Sequence, residues 1–145
     1  MNTKFRFAAA AMVLVATRAA FAAPVDDART HFQAVASGDM AIVMRAYADN
    51  ARLEWVGGPL DGSYATPEAI RGVWEKFTKS QGTLKLSVDK VEESANPKGS
   101  TVSANVQFDG KGPIKVRYVL TFREGKIASE TWQVDPKLNV ATGSY

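Results

Sequence analysis

The chain has one histidine, His31, and no cysteine, so its reactive repertoire is an imidazole, carboxyl groups, phenols and hydroxyls. An imidazole held beside a carboxylate works as an acid or base near neutral pH. The acid that stands out by pattern is Glu130, which lies between Ala128 and Trp132 in an alternating segment. An inward carboxyl group there is costly unless paired. It is therefore a pocket acid, a structural partner of a basic neighbour, or an outward residue whose face has been misread. Tyr118 falls on the inward face of the preceding segment, as a polar pocket group or as core filler. His31, Tyr118 and Glu130 form the candidate catalytic set: His31 as acid or base, Glu130 orienting it or taking a second proton, Tyr118 donating to an oxyanion. The alternative for His31 is a hydrogen-bonded, inert helix histidine.

Other site types find less support. A transition-metal site draws on several His or Cys ligands, and no carboxylate-rich calcium loop occurs, so neither a metal nor another cofactor is expected. No G-x-S-x-G elbow, phosphate-binding loop or dinucleotide fingerprint is present. Gly110-Lys111-Gly112-Pro113 reads as a hairpin turn, because no helix follows it. Trp55, Trp74, Tyr64, Phe108 and Tyr47, with Trp132 beside them, are the candidate walls of a small-molecule site. Each fits a core position equally well; Trp55 and Trp74 are the two expected to touch the lumen.

Charge narrows the partners. The formal net charge of +3 comes from Lys4, Arg6 and Arg18, with no acid before Asp26. Those three are the only basic residues in positions 1–22, so the rest of the chain balances 15 cations against 15 carboxylates. Nothing then attracts a polyanion globally, and nucleic acid drops out as a partner. Lys115, Arg117 and Arg123 share the outward side of one strand, as a solvated face or the rim of a dimer contact rather than an anion site.

Positions 1–22 read as a leader. Lys4 and Arg6 precede the apolar stretch Phe7 to Ala16, and Ala20-Phe21-Ala22 provides a small-x-small cleavage site. The stretch is about half of what a spanning helix needs, so no stable membrane insertion is expected. The expectation is a periplasmic or secreted protein cleaved near Ala22, with residues 23–145 as one domain and no disulfide to staple it.

The elements that would position these side chains follow from periodicity. Asp26 and Asp27 suit a helix start; Ala28, His31, Phe32 and Val35 share one face, and Gly38 ends the helix. Asp39 caps a second helix in which Met40, Val43, Met44 and Tyr47 recur at helical spacing. Ala51, Leu53 and Trp55 alternate with Arg52 and Glu54 as a strand. A loop through Gly57-Gly58-Pro59 and Asp61-Gly62 leads to a third helix opened by Thr66-Pro67-Glu68, with Ala69, Ile70, Val73, Trp74 and Phe77 as its stripe. After Gly82 the signals are strands only.

The last hairpin has two possible registers. A bare Glu124-Gly125 turn would set Tyr118 opposite Thr131 and send Trp132 and Val134 to the face of Lys115 and Arg117. A three-residue loop with Gly125 left-handed sets Tyr118 opposite Glu130 and Val116 opposite Trp132. The second is preferred because it gathers the apolar residues. Together these elements predict an α+β, cone-shaped fold of three N-terminal helices packed in a curved, mainly antiparallel sheet.

The run "AVASGDMAIVMRAYADN" from Ala34 to Asn50, then "ARLEW", the Asp61-Gly62 loop, the helix from Pro67 and the closing "VLTFREGKI" resemble the nuclear transport factor two-like superfamily. The specific likeness is to its SnoaL-like, ketosteroid-isomerase-like branch, over nearly all of residues 25–135. The resemblance implies a cone with a largely apolar pocket and frequent homodimerisation through the outer sheet face; it does not fix an activity. It also implies positions. Where the isomerases carry a tyrosine eight residues before the Gly-Asp aspartate, this chain has His31. Their proton-shuttling aspartate on the first strand is Trp55 here, and their second oxyanion donor is Tyr118. Steroid isomerisation by the usual route is therefore not expected. Three readings remain: a binder of a small, largely apolar carbonyl- or hydroxyl-containing molecule with acid/base chemistry of isomerase, dehydratase or hydrolase type; a non-catalytic carrier or sensor; or an interaction module with a filled cone.

Overall fold

The computed structural model describes residues 23–142. The leader expected over residues 1–22 lies outside them, as do the last three residues of the tail.

Helix α1 (Pro24–Ser37) begins with proline and two aspartates in its first turn and ends at Gly38, whose φ of 74° sets a left-handed cap. Its buried face carries Ala28, His31, Phe32 and Val35. Helix α2 (Met40–Arg45) is capped by Asp39, whose carboxylate accepts from the Ile42 amide at 3.2 Å. It is shorter than its apolar spacing predicts. The Ile127 amide donates to the Ala46 carbonyl at 2.8 Å, which draws the chain into the sheet, so Tyr47 opens strand β1 (Tyr47–Val56) rather than closing a helix. Helical spacing at four positions did not separate a last turn from a first inward strand residue.

The expected loop after β1 contains a short strand, β2 (Gly62–Tyr64), paired antiparallel to β1. Helix α3 (Pro67–Gln81) starts where predicted, with the Thr66 hydroxyl accepting from Ala69 N at 3.1 Å. Four long strands follow: β3 (Lys85–Asn96), β4 (Gly99–Asp109), β5 (Pro113–Arg123) and β6 (Lys126–Val134). The sheet order is β2-β1-β6-β5-β4-β3. Every pairing is antiparallel except β1 with β6. Three helices thus pack on a curved, mainly antiparallel six-stranded sheet, as the sequence predicts. Register shifts in the β1–β6, β3–β4 and β5–β6 pairings mark bulges of the kind that bend strands.

The β5–β6 hairpin corrects the preferred register. Arg123 pairs with Lys126, so the turn is the two-residue Glu124-Gly125, both at positive φ (52° and 74°). A bulge then shifts the pairing, setting Thr121 opposite Ser129, Leu120 opposite Glu130 and Tyr118 opposite Trp132. The extra residue restores the faces that a two-residue turn alone would have inverted. Tyr118 and Glu130 are therefore diagonal neighbours on the concave face rather than direct partners.

Beyond β6 the chain turns onto the outer side of the sheet. Asp135 N donates to the Lys115 carbonyl at 2.9 Å and Ala141 N to the Asp89 carboxylate at 3.1 Å. Arg117, on the same side, is held by Asn105 and Ser103. Among the described residues no helix is long and apolar enough to cross a membrane.

Candidate functional site

Five elements bring five polar side chains together inside the cone. α1 supplies His31, β1 Tyr47, α3 Trp74, β5 Tyr118 and β6 Glu130. The Glu130 carboxylate is the hub. His31 Nε2 lies 2.7 Å from its Oε2, the Tyr118 hydroxyl donates to Oε2 at 2.8 Å, and the Tyr47 hydroxyl donates to Oε1 at 2.5 Å. The Trp74 indole N–H donates to the Tyr47 oxygen at 2.8 Å. With Nε2 facing a carboxylate that accepts from both phenols, the imidazole hydrogen belongs on Nε2. His31 Nδ1 is buried with no hydrogen-bond partner.

The electrostatics follow from burial. His31, Tyr118, Glu130 and Trp74 are buried, and Tyr47 is partly buried. Burial first, and the Glu130 charge second, push both tyrosines well above the usual phenol value of 10.0, so they stay protonated and remain donors. Three donors on two oxygens compensate the carboxylate with no Lys or Arg among them: its partners are the His31 imidazole and the two phenols. The phenol hydrogens are spent within the cluster, so a substrate would have to displace one of them to use it. Among the described residues no three His, Asp or Glu side chains gather as metal ligands would.

An aromatic layer covers the cluster. The Trp132 ring meets Tyr118 edge to face (centroids 5.2 Å), stacks on Trp55 at 4.6 Å and on Phe108 at 5.2 Å; Trp74 packs edge-on to His31 and Trp132. Trp132 also lines a cavity of about 540 Å³ with Trp55, Leu60, Phe77, Ile114 and Val134, edged by Gly57-Gly58-Pro59 and by Lys76, Ser80 and Gln81. None of the five cluster residues lines that cavity. Trp132 Nε1 is buried without a partner. A separate cleft of about 300 Å³ is bordered by His31 together with Asp27, Thr30, Arg45 and Lys126.

Of the side chains singled out by sequence, the structure joins His31, Glu130 and Tyr118 and adds Tyr47 and Trp74, which had been placed on the pocket wall. Trp55 lines the larger cavity. Phe108 is core behind Trp132, and Tyr64 turns its hydroxyl to the Leu60 carbonyl at 2.6 Å, supporting the loop rather than the lumen. Phe77, Ile114, Val134, Leu60 and Lys76 were not foreseen as lining residues. Their signal was positional: all lie where β1, α3, β5 and β6 reach the same end of the cone.

The SnoaL-like domain model matches residues 28–130. No curated protein matches the sequence. Among solved structures the fold is similar to a cystatin-like-fold protein of Nostoc punctiforme (TM-score 0.65, 13% identity, covering 79% of this chain and 90% of that one). It is similar to a nuclear transport factor two-like protein of Pseudomonas putida (0.66, 15%, 78% and 86%) and to a candidate polyketide cyclase of Sinorhizobium meliloti (0.52, 20%, 74% and 94%). At these identities the likeness is one of fold.

Proposed function

Because this chain belongs to the SnoaL-like domain family, whose fold encloses a site between helices and sheet, we propose that it binds a small, largely apolar molecule bearing a carbonyl or hydroxyl in the cavity walled by Trp55 and Trp132, as a carrier or sensor. One observation carries this reading. The carboxylate and the two phenols hydrogen-bond within the cluster, outside the cavity lining, while the cavity itself presents apolar walls with Lys76, Ser80 and Gln81 as polar groups at its edge. Apolar walls with few polar groups are the usual make-up of a ligand site. The test is native mass spectrometry of the protein purified from its source, before and after denaturation. A released molecule of this class, bound more weakly after Trp132→Phe, supports the reading. An empty protein that also shows no tryptophan quenching with a panel of aromatic ketones and alcohols overturns it.

A second reading rests on the His31–Glu130 contact and the orphaned Nδ1: acid/base chemistry on a molecule approaching His31 from the smaller cleft. Turnover of an identified ligand that survives His31→Ala and Glu130→Gln unchanged rules it out. Export after cleavage near Ala22 and homodimerisation through the outer sheet face belong to the proposal as well. Lys4 and Arg6 ahead of an apolar stretch support the first, and membership of the SnoaL-like family supports the second.

A further inference from the structure

The larger cavity has a charged edge. Lys76 and Ser80, four residues apart on α3, share one stripe of the helix and border the cavity, and no Asp or Glu does. The adjacent acid, Glu75, lies 3.8 Å from Arg71 instead. A helix C-terminus is negative and would repel an anion, but here Lys111 Nζ donates to the Ser80 carbonyl at 3.0 Å and Lys79 occupies the last turn. Away from that edge the wall is aromatic: Phe77 stands edge-on to the stacked pair Trp55 and Trp132, at 5.5 and 5.3 Å. Gly57 and Gly58 add no side chains to the rim, so the aromatic rings of Trp55, Phe77 and Trp132 dominate the wall, a surface that favours a flat ring system.

Resting on the reading of this cavity as the ligand site, we propose that its ligand is a planar aromatic molecule carrying one carboxylate, with the rings against Trp55 and Trp132 and the carboxylate at Lys76. Lys76 is then the specificity-determining residue. An ion pair at an exposed rim is worth up to about fivefold in affinity and weakens with salt.

The experiment is calorimetric titration of the full chain with naphthalene-2-carboxylate and with naphthalene-2-methanol, at low salt and at high salt. The expected result is a preference of about fivefold for the carboxylate, narrowed at high salt and abolished by Lys76→Gln, with the alcohol's affinity unchanged. Lys76→Arg retains it. Equal binding of the two probes by the unmodified protein overturns the carboxylate proposal while leaving the cavity reading intact. A preference that persists in Lys76→Gln overturns the role of Lys76, and failure of both probes to bind overturns the proposal together with the cavity reading.

Discussion

His31 Nε2 and Glu130 Oε2 lie 2.7 Å apart across 99 positions of sequence, and neither side chain reaches solvent. The contact ties the first helix to the last strand, with the two tyrosines sharing the same carboxylate. A buried acid with this many donors holds the cone together whether or not it also does chemistry.

Removing the hub strands its donors. Glu130→Ala leaves His31, Tyr47 and Tyr118 without their acceptor and is expected to cost about 3–5 kcal/mol. Urea unfolding with a constant slope measures it. A cost under about 1 kcal/mol would show that the cluster is not formed in solution.

The tyrosines predict an alkaline limit. Burial, then the Glu130 charge, raises both above the unfolded value of 10.0, so their contribution is fully present below pH 10 and lost as pH rises through the folded values. Above pH 10 each should lower stability by about 1.4 kcal/mol per pH unit. Absorbance at about 295 nm should show two phenols ionising only with unfolding, and early ionisation of all of them would refute the burial.

Asp89 predicts an acid response of the tail. The Ala141 amide, and after it the Lys90 amide, lowers the Asp89 pKa from 3.8. The contact therefore persists above that value and is lost as pH falls through the folded one. Asp89→Ala should speed hydrogen exchange at Ala141 at neutral pH while leaving the unfolding midpoint unchanged. Identical exchange in both proteins would count against the Ala141–Asp89 contact.

The β3–β4 turn predicts a steric effect. A Cβ at Gly99 would collide with the Phe122 backbone carbonyl, whereas one at Gly112 meets open space. Gly99→Ala should cost about 1–3 kcal/mol and Gly112→Ala far less, compared by thermal unfolding.

Helix starts were legible because their signals are local: Thr66-Pro67-Glu68 and Asp39 each place a cap within one turn of sequence. The inward faces of β4 to β6 were legible from alternation, which placed Tyr118 and Glu130 on one side. Their exact relation was not. A bulge just beyond the hairpin turn leaves no mark in the residue pattern, because it restores the alternation that the two-residue turn would have inverted. Tyr47 was misplaced for a related reason: its environment is set by Ile127 and Glu130 in the last strand, far outside any local window. The saturation of the cluster was likewise invisible, since counting donors on a carboxylate requires knowing which side chains meet.

The parallel pairing of β1 with β6 has a consequence for how the molecule is made. Leu53 finds its neighbour Glu130 only after nearly the whole chain is available, and such distant closures are slow. Until then the β1–β2 hairpin has an open edge, and His31 and Tyr47 have no acceptor. The final strand is therefore the closing seam of the fold. A chain cut between β5 and β6 leaves the edges of β1 and β5 facing each other across a gap, open to pairing with other chains.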